Sequence, residues 1–158
     1  MPKHQLCLIL HNIRSVYNVG AIFRTADACG VSKIYLTGYT PTPLDRFGLP
    51  RKDLHKAALG AEQSVPWEQE NQVAKVIKSL KLKEFKIIAL EQSPRSIDYK
   101  KFQLTQNSVL VIGNEVRGVS KSLLEKCDEI LEIPMRGKKE SLNVSVATGI
   151  LLARILDL

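Results

Sequence analysis

Polar side chains that could bind a ligand or do chemistry lie in three segments, each directly after a short apolar run. The segments are residues 11–24, 113–118 and 133–145. The apolar runs along the chain are typical of buried parallel strands, and they span residues 5–10, 33–37, 85–90, 108–112 and 129–133. Ligands of open α/β sheets bind beyond the carboxyl ends of the strands, so all three segments have the placement of a binding site.

Each candidate side chain in these segments also has a purely structural interpretation. Asn18 could serve only as the cap of a helix, and Ser141 and Asn143 could cap the last helix. Glu115 could form a surface ion pair, which contributes little. Arg24 follows Asn18 by six residues, so it points away from the Asn18 side of the helix and could be a solvated arginine. Taken singly, these residues leave the chemistry open.

Two common nucleotide-binding motifs are absent from the sequence. The G-x-G-x-x-G pattern of dinucleotide-binding folds does not occur. Residues 113–120 have the glycine spacing of a P-loop, but Val119 stands where the phosphate-binding lysine is required. We therefore expect neither a Rossmann-type dinucleotide site nor a P-loop NTPase.

The histidines and cysteines do not show the spacing of a metal site. The three histidines share no spacing, and the cysteines Cys7, Cys29 and Cys127 lack the C-x-x-C pattern. We therefore expect no metal site. We also expect the three cysteines to be buried thiols rather than catalytic nucleophiles. The odd number of cysteines argues against a disulfide framework and fits a reducing, cytoplasmic location. The longest early apolar run has five residues, so we expect no signal peptide and no membrane span.

Helical patterns alternate with the apolar runs. The first predicted helix begins at Asn18 and ends before Gly30, whose left-handed conformation would terminate it. Further helices are predicted at residues 50–59, 68–82, 120–125 and 143–156. This alternation predicts an α/β fold with a mostly parallel sheet and helices on both faces. At 158 residues, the chain is expected to form a single domain over residues 1–158.

Positive charge is concentrated in the first third of the chain. The formal net charge is +7, and residues 1–60 carry +5 of it. Such an excess suits a polyanionic partner such as nucleic acid, although many soluble proteins carry a similar charge for solubility alone.

The combination of the three segments is more informative than any one residue. Residues 18–27 read N-x-G-x-x-x-R-T-A-D, residues 112–120 read I-G-N-E-V-R-G-V-S, and residues 133–147 contain I-P-M-R-G and then S-L-N-V-S-V-A. In order and spacing they resemble the three motifs of the SpoU/TrmH branch of the SPOUT RNA methyltransferases. The resemblance spans nearly the whole chain, and no motif position departs from it.

This resemblance implies a fold, a cofactor and an assembly. Members of the family have an α/β fold whose C-terminal segment forms a deep trefoil knot, a rare topology that sequence pattern alone does not predict. They act as homodimers and bind S-adenosylmethionine in the knot. Carried onto this sequence, the cofactor pocket is expected to be lined by Leu90, Gly113, Ile133, Met135 and Leu142.

The implied reaction is methyl transfer to a ribose 2′-hydroxyl of tRNA or rRNA. Arg24 is expected to hold a phosphate and stabilise the developing alkoxide, with Asn18 orienting Arg24 or the ribose. Glu115 is expected to hold the arginine or shape the cofactor loop, and Ser141 and Asn143 to complete the catalytic site. Basic residues of the first third are expected to bind the RNA, namely Arg14, Arg46, Arg51, Lys52 and Lys56.

Two other functions stay open at the level of sequence. An RNA-binding module without turnover would keep the basic residues, but it would not require the five residues expected to be catalytic. A small-molecule nucleotide-binding protein would instead act on free nucleosides without RNA. No membrane partner is expected.

Overall fold

The computed structural model describes residues 3–158 as a seven-stranded sheet flanked by helices. The strands are β1 (Leu6–His11), β2 (Lys33–Thr37), β3 (Trp67–Glu70), β4 (Lys86–Leu90), β5 (Ile97–Asp98), β6 (Ser108–Ile112) and β7 (Glu129–Glu132). The helices are α1 (Val16–Cys29), α2 (Lys52–Ala58), α3 (Ala61–Ser64), α4 (Val73–Leu82), α5 (Lys121–Leu124) and α6 (Val144–Ile155), with a 3-10 turn at Tyr99–Lys101.

The strands run in the order β3-β2-β1-β6-β4-β7-β5, and every described pairing is parallel. The predicted mostly parallel sheet is confirmed. Because parallel strands all end at the same edge, the segments that follow β1, β6 and β7 emerge at one edge of the sheet, within four consecutive strands. Strand β6 lies between β1 and β4, so a segment from the last third of the chain occupies the centre of the sheet.

Helices cover both faces of the sheet. Because alternate residues of a strand point to opposite faces, each central strand contributes to two separate cores. Leu8 of β1 belongs to a core cluster that includes Phe23 of α1 and Leu151 of α6. Its neighbour Ile9 belongs to a second cluster, which includes Ile77 of α4. Both faces of β1 are therefore buried, which explains why its sequence is apolar throughout.

Helix α1 begins earlier than its sequence predicts. Ser15, not Asn18, is the N-cap, and its Oγ accepts a hydrogen bond from the Asn18 backbone N–H at 3.2 Å. The prediction that Asn18 caps this helix is therefore wrong, and the Asn18 side chain is free for other contacts. Gly30 ends the helix with a φ of 75°, as predicted.

The prediction of one helix over residues 68–82 is wrong in its first part. Residues Trp67–Glu70 form β3, which pairs with β2 at the register of Ile34 with Trp67, and α4 begins only at Val73. The glutamate and glutamine side chains favour a helix, but pairing with an exposed sheet edge decides the conformation. The two-residue strand β5 at the opposite edge was not predicted either.

The helix predicted at residues 50–59 is also shorter than expected. Helix α2 spans Lys52–Ala58, and Leu59 and Gly60, both with positive φ, turn the chain into the separate helix α3. The last helix matches its prediction closely, because Asn143 is its N-cap and its side chain accepts hydrogen bonds from the backbone of Ser145 and Val146.

The cysteines lie in apolar surroundings, as the sequence indicates. Cys7 and Cys127 are buried, Cys29 is half-buried, and all three are free thiols. Burial raises the pKa of Cys7 and of Cys127 to about 11, so both stay protonated near neutral pH. Within residues 3–158, no helix is long and apolar enough to cross a membrane.

Candidate active site

A cavity of about 210 Å³ opens at the carboxyl edge of the sheet. Its walls come from the segments after β4, β6 and β7 and from the segment that leads into α6. All five residues expected to line a cofactor pocket are in its walls: Leu90, Gly113, Ile133, Met135 and Leu142. The structure therefore brings together residues that are up to 52 positions apart in the sequence.

The loop after β6 passes through the wall of this cavity as a tight turn. A Cβ atom on Gly113 would lie 2.5 Å from the carbonyl carbon of Gly118, so only glycine fits at this position. Gly118 has a φ of +65°, and a Cβ there would collide with the carboxylate of Glu91. The two glycines of the second motif are thus explained by close approach within the loop.

Asn114 fixes this turn from the inside. Its Oδ1 accepts hydrogen bonds from the backbone N–H groups of Val116 and Arg117, at 2.9 and 2.8 Å. Its Nδ2 donates to the backbone oxygen of Asn12 and to the phenol oxygen of Tyr39. Asn114 lies inside the second motif, but its two donor contacts join it to residues 102 and 75 positions away, which the motif itself does not indicate.

Glu115 joins the turn to the beginning of α1. Its carboxylate accepts hydrogen bonds from the backbone N–H groups of Arg14, at 3.0 Å, and Ser15, at 2.9 Å, and from the side-chain amide of Asn18 at 3.3 Å. Burial raises the pKa of Glu115, but these hydrogen bonds together outweigh burial and hold the pKa below its usual value. A carboxylate so placed also complements the positive end of the helix dipole.

Asn18 extends this connection to the last helix. Its Oδ1 accepts a hydrogen bond from Nδ2 of Asn143 at 3.3 Å, and Asn143 caps α6. Glu115, Asn18 and Asn143 therefore form one hydrogen-bonded chain across the three motifs, while Ser141 lies in the cavity wall. Four of the five expected catalytic residues are brought to the cavity or to this chain.

Arg24 is the expected catalytic residue that the structure does not bring there. Its side chain is exposed on α1 and is not part of the cavity wall. Within residues 3–158, neither Asn18 nor Glu115 makes a hydrogen bond or an ion pair with it. Its role, and the expectation that Asn18 or Glu115 holds it, stay predictions.

A second, larger cleft of about 770 Å³ adjoins the cavity, because Asn114, Val116 and Arg117 line both. Two of the expected RNA-binding residues, Arg14 and Arg51, line this cleft. With Arg117 they give it three guanidinium groups. The cleft is therefore basic, and it lies directly beside the cavity.

The other expected RNA-binding residues lie outside the walls of this cleft. Arg46 is in the loop before α2, while Lys52 and Lys56 are exposed on α2 itself. Arg51 is paired with Asp53, whose pKa is lowered first of all by the hydrogen bonds from this guanidinium. Part of its charge is therefore already balanced.

Acidic and amide side chains in the cavity wall were missed by sequence reasoning. They are Glu91, Gln92, Glu132 and Glu140. Glu91 accepts a hydrogen bond from the backbone of Val119, and Gln92 donates to the backbone oxygen of Glu140. The signal that could have identified the first three was their position at the carboxyl ends of β4 and β7.

The family model described as the SpoU rRNA Methylase family matches residues 5–153, which include all three motifs and every residue of the cavity wall. The chain belongs to the SpoU family. Its α/β fold with a parallel sheet is shared by solved structures of the same family. One is the AdoMet-bound rRNA methyltransferase from Sinorhizobium meliloti, which superposes with a TM-score of 0.85 at 30% identity over 95% of this chain and 55% of that one.

Two curated relatives are similar in sequence. The tRNA (guanosine(18)-2′-O)-methyltransferase of Aquifex aeolicus is 36% identical over 96% of this chain and 70% of its own length. The 23S rRNA (guanosine-2′-O-)-methyltransferase RlmB of Haemophilus ducreyi is 34% identical over 98% of this chain and 60% of its own length. The chain thus spans about 60 to 70% of the length of these relatives.

Proposed function

We propose that this SpoU-family chain transfers a methyl group from S-adenosylmethionine to a ribose 2′-hydroxyl of tRNA or rRNA. The observation that carries the proposal is the hydrogen-bonded chain of Glu115, Asn18 and Asn143. It joins the three motifs beside a cavity that adjoins a basic cleft. The names of the relatives support the same reaction class.

The walls of the cavity fit S-adenosylmethionine. Leu90, Ile133, Met135 and Leu142 offer an apolar surface for adenine, and the glycine-rich turn after β6 leaves its backbone accessible. The carboxylates in the wall, such as Glu91, complement a ligand that carries a positive sulfonium and an ammonium group. The bound ligand would supply an activated methyl group, so the protein needs only to align the oxygen and assist loss of its proton.

The residues expected to be catalytic have distinct tasks in this proposal. Glu115 and Asn143 hold the cavity loops against the start of α1, and Ser141 completes the wall on the side where α6 begins. Arg24 holds the phosphate of the target nucleotide and stabilises negative charge that develops on the ribose oxygen. A base role for Arg24 is unfavourable because the pKa of a guanidinium exceeds about 12.

A homodimer is part of the proposal because it places Arg24 in a shared site. Helices α1 and α6 pack together where Thr25 approaches Gly149, and the apolar side chains of Val146 and Ile150 are exposed on the free face of α6. On α1, Tyr17 is 68% exposed and lies two turns before Arg24 on the same side. A second copy packed on this face would cover these side chains and enclose Arg24.

We also propose that the described residues form a single methyltransferase domain and that its C-terminal segment is knotted. We propose that the protein acts in the cytoplasm. The order of the sheet supports the knot, since the chain leaves β4, returns to β6 on one side of it and then to β7 on the other. The chain after β7 then crosses back to pack α6 on α1. Pulling the two ends of the protein apart would tighten such a knot. The fully extended chain would then be shorter than an unknotted chain of the same number of residues.

The proposed activity is tested by labelled-methyl transfer to fractionated tRNA and rRNA, followed by mapping of alkali-resistant 2′-O-methyl positions. Arg24→Ala is expected to abolish transfer while S-adenosylmethionine binding, measured by calorimetry, persists. Lys78→Ala, which removes an exposed positive charge on α4, is the matched control and should transfer normally. RNA binding by the wild type without any transfer would favour the RNA-binding module instead.

The homodimer has its own test. Ile150→Glu is expected to convert the protein to a monomer in sedimentation experiments and to abolish transfer, with S-adenosylmethionine binding retained. A protein that is monomeric as wild type and fully active would refute this part of the proposal.

A further inference from the structure

The loop between β2 and α2 exposes apolar side chains that no part of the proposed site uses. Phe47 is 72% exposed, and Leu49 and Leu44 are exposed in the same loop. Burying such a side chain stabilises a fold, so the protein forgoes a gain in stability at these positions. Apolar side chains that cluster on a surface, unlike scattered ones, mark a binding surface.

This loop is rigid rather than loosely extended. The side chain of Asp45 accepts hydrogen bonds from the backbone N–H groups of Phe47, at 2.8 Å, and Leu49, at 3.0 Å. The Asp45 N–H donates to the backbone oxygen of Leu49, and Leu44 is bridged to Pro50. The tip that carries Phe47 is therefore held out from the protein in one conformation, which lowers the entropy lost on binding.

Basic side chains lie beside the exposed ring and at the base of its loop. The guanidinium carbon of Arg46 lies 4.8 Å from the centre of the Phe47 ring. Arg51 closes the base of the loop through a hydrogen bond from its N–H to the oxygen of Pro43, and Lys52 follows at the start of α2. Arg51 also lines the basic cleft, so the loop continues the surface of that cleft.

We propose that Phe47 is a stacking platform for an unpaired base of the RNA substrate. An aromatic ring presented among arginines is the combination by which proteins hold single-stranded nucleic acid, since the ring stacks on a base while the charges bind phosphates. The continuity of the loop with the basic cleft favours RNA over a protein partner, because a row of guanidinium groups suits a chain of phosphates. The inference rests on the proposed function, and it adds that the RNA is bound at an unpaired, single-stranded position.

The test compares three probes on the same set of variants. The probes are a short single-stranded RNA, a duplex RNA of the same length and inorganic polyphosphate, which carries the charge without bases. Phe47→Ala is expected to weaken binding of the single strand about tenfold, which is the loss of one base–aromatic stack. Binding of the duplex and of polyphosphate should stay within twofold of the wild type.

Two further variants separate stacking from other effects. Phe47→Trp should restore the affinity for the single strand, and its added fluorescence, measured against the background of Trp67, should be quenched by that RNA. Leu82→Ala removes an equally exposed apolar side chain from the end of α4, at the opposite edge of the sheet, and should change nothing.

Three results would overturn the inference. They are an unchanged affinity of Phe47→Ala for the single strand, an equal loss of affinity for polyphosphate, and a change of oligomeric state in Phe47→Ala. The failure of the proposed function has a different signature, because the wild type would then bind the single strand through Phe47 but transfer no methyl group to any RNA.

Discussion

The carboxylate of Glu115 is the sharpest point at which to perturb the site. Glu115→Gln keeps the size of the side chain but replaces one acceptor oxygen by an amide that donates. That amide would face backbone N–H groups of Arg14 and Ser15, which now donate to the carboxylate. The change therefore removes a negative charge from the start of α1 and leaves at least one donor without its acceptor.

The size of the effect follows from these contacts. Hydrogen bonds to a charged group contribute about 1.5 to 3 kcal/mol, and a charge at a helix terminus adds about 0.3 to 1 kcal/mol. Glu115 is half-buried, so solvent screens part of this, and we expect a loss of about 2 kcal/mol in the free energy of unfolding. For a domain of this size that corresponds to a fall in Tm of roughly 4 to 8 °C.

The pH dependence separates this explanation from a general packing defect. The pKa of Glu115 is lower in the folded protein than in the unfolded chain, so its stabilisation is present above the unfolded-state pKa and is lost as the pH falls through the folded-state pKa. Gln does not titrate. The difference in stability between wild type and variant should therefore be full at neutral pH and shrink as the pH falls below the unfolded-state pKa of the carboxyl group.

Urea denaturation of both proteins across this pH range measures the difference. Glu125→Gln, which changes an exposed carboxylate at the end of α5, is the control and should stay within about 0.5 kcal/mol of wild type. Equal stability of Glu115→Gln and wild type at neutral pH would refute the reasoning, as would a deficit that persists unchanged in acid.

Two other predictions follow from close packing and burial. Gly113→Ala should lower the free energy of unfolding by about 1 to 3 kcal/mol and abolish S-adenosylmethionine binding in calorimetry, because its Cβ would overlap Gly118. The matched Gly137→Ala, where an added Cβ meets no atom within 4 Å, should leave stability unchanged, and equal behaviour of the two variants would contradict this explanation. Cys7 and Cys127 should react with a disulfide reagent only after unfolding, since burial raises their pKa to about 11, and rapid labelling of both thiols in the native protein would show that they are accessible.

Strands buried on both faces could be predicted from sequence almost to the residue. The apolar run at residues 108–112 is the observed β6, whose five residues are all buried, because continuous burial demands a nearly continuous apolar sequence. The edge strand β3 could not be predicted in this way. Its sequence, WEQE, is polar, and only its pairing with β2 makes it a strand.

The residues of the site could be predicted, but their contacts could not. The resemblance selected Asn18, Glu115 and Asn143, yet the hydrogen bonds that join them connect positions about a hundred residues apart. Local pattern carries no information on such partners, and this is why Asn18 was expected to cap its own helix. The position of Arg24 shows the same difficulty, since its proposed task depends on a second copy of the chain.

The placement of β6 has a consequence for how the protein is made. Strands β1 and β2 leave the ribosome early, but β1 remains without its second neighbour until residues 108–112 have been synthesised. Chains grow at roughly 5 to 20 residues per second, so this apolar edge stays open for several seconds at least. Such an edge invites pairing with other chains, and we expect nascent copies to depend on chaperones or on the ribosome surface until the last third of the sequence arrives.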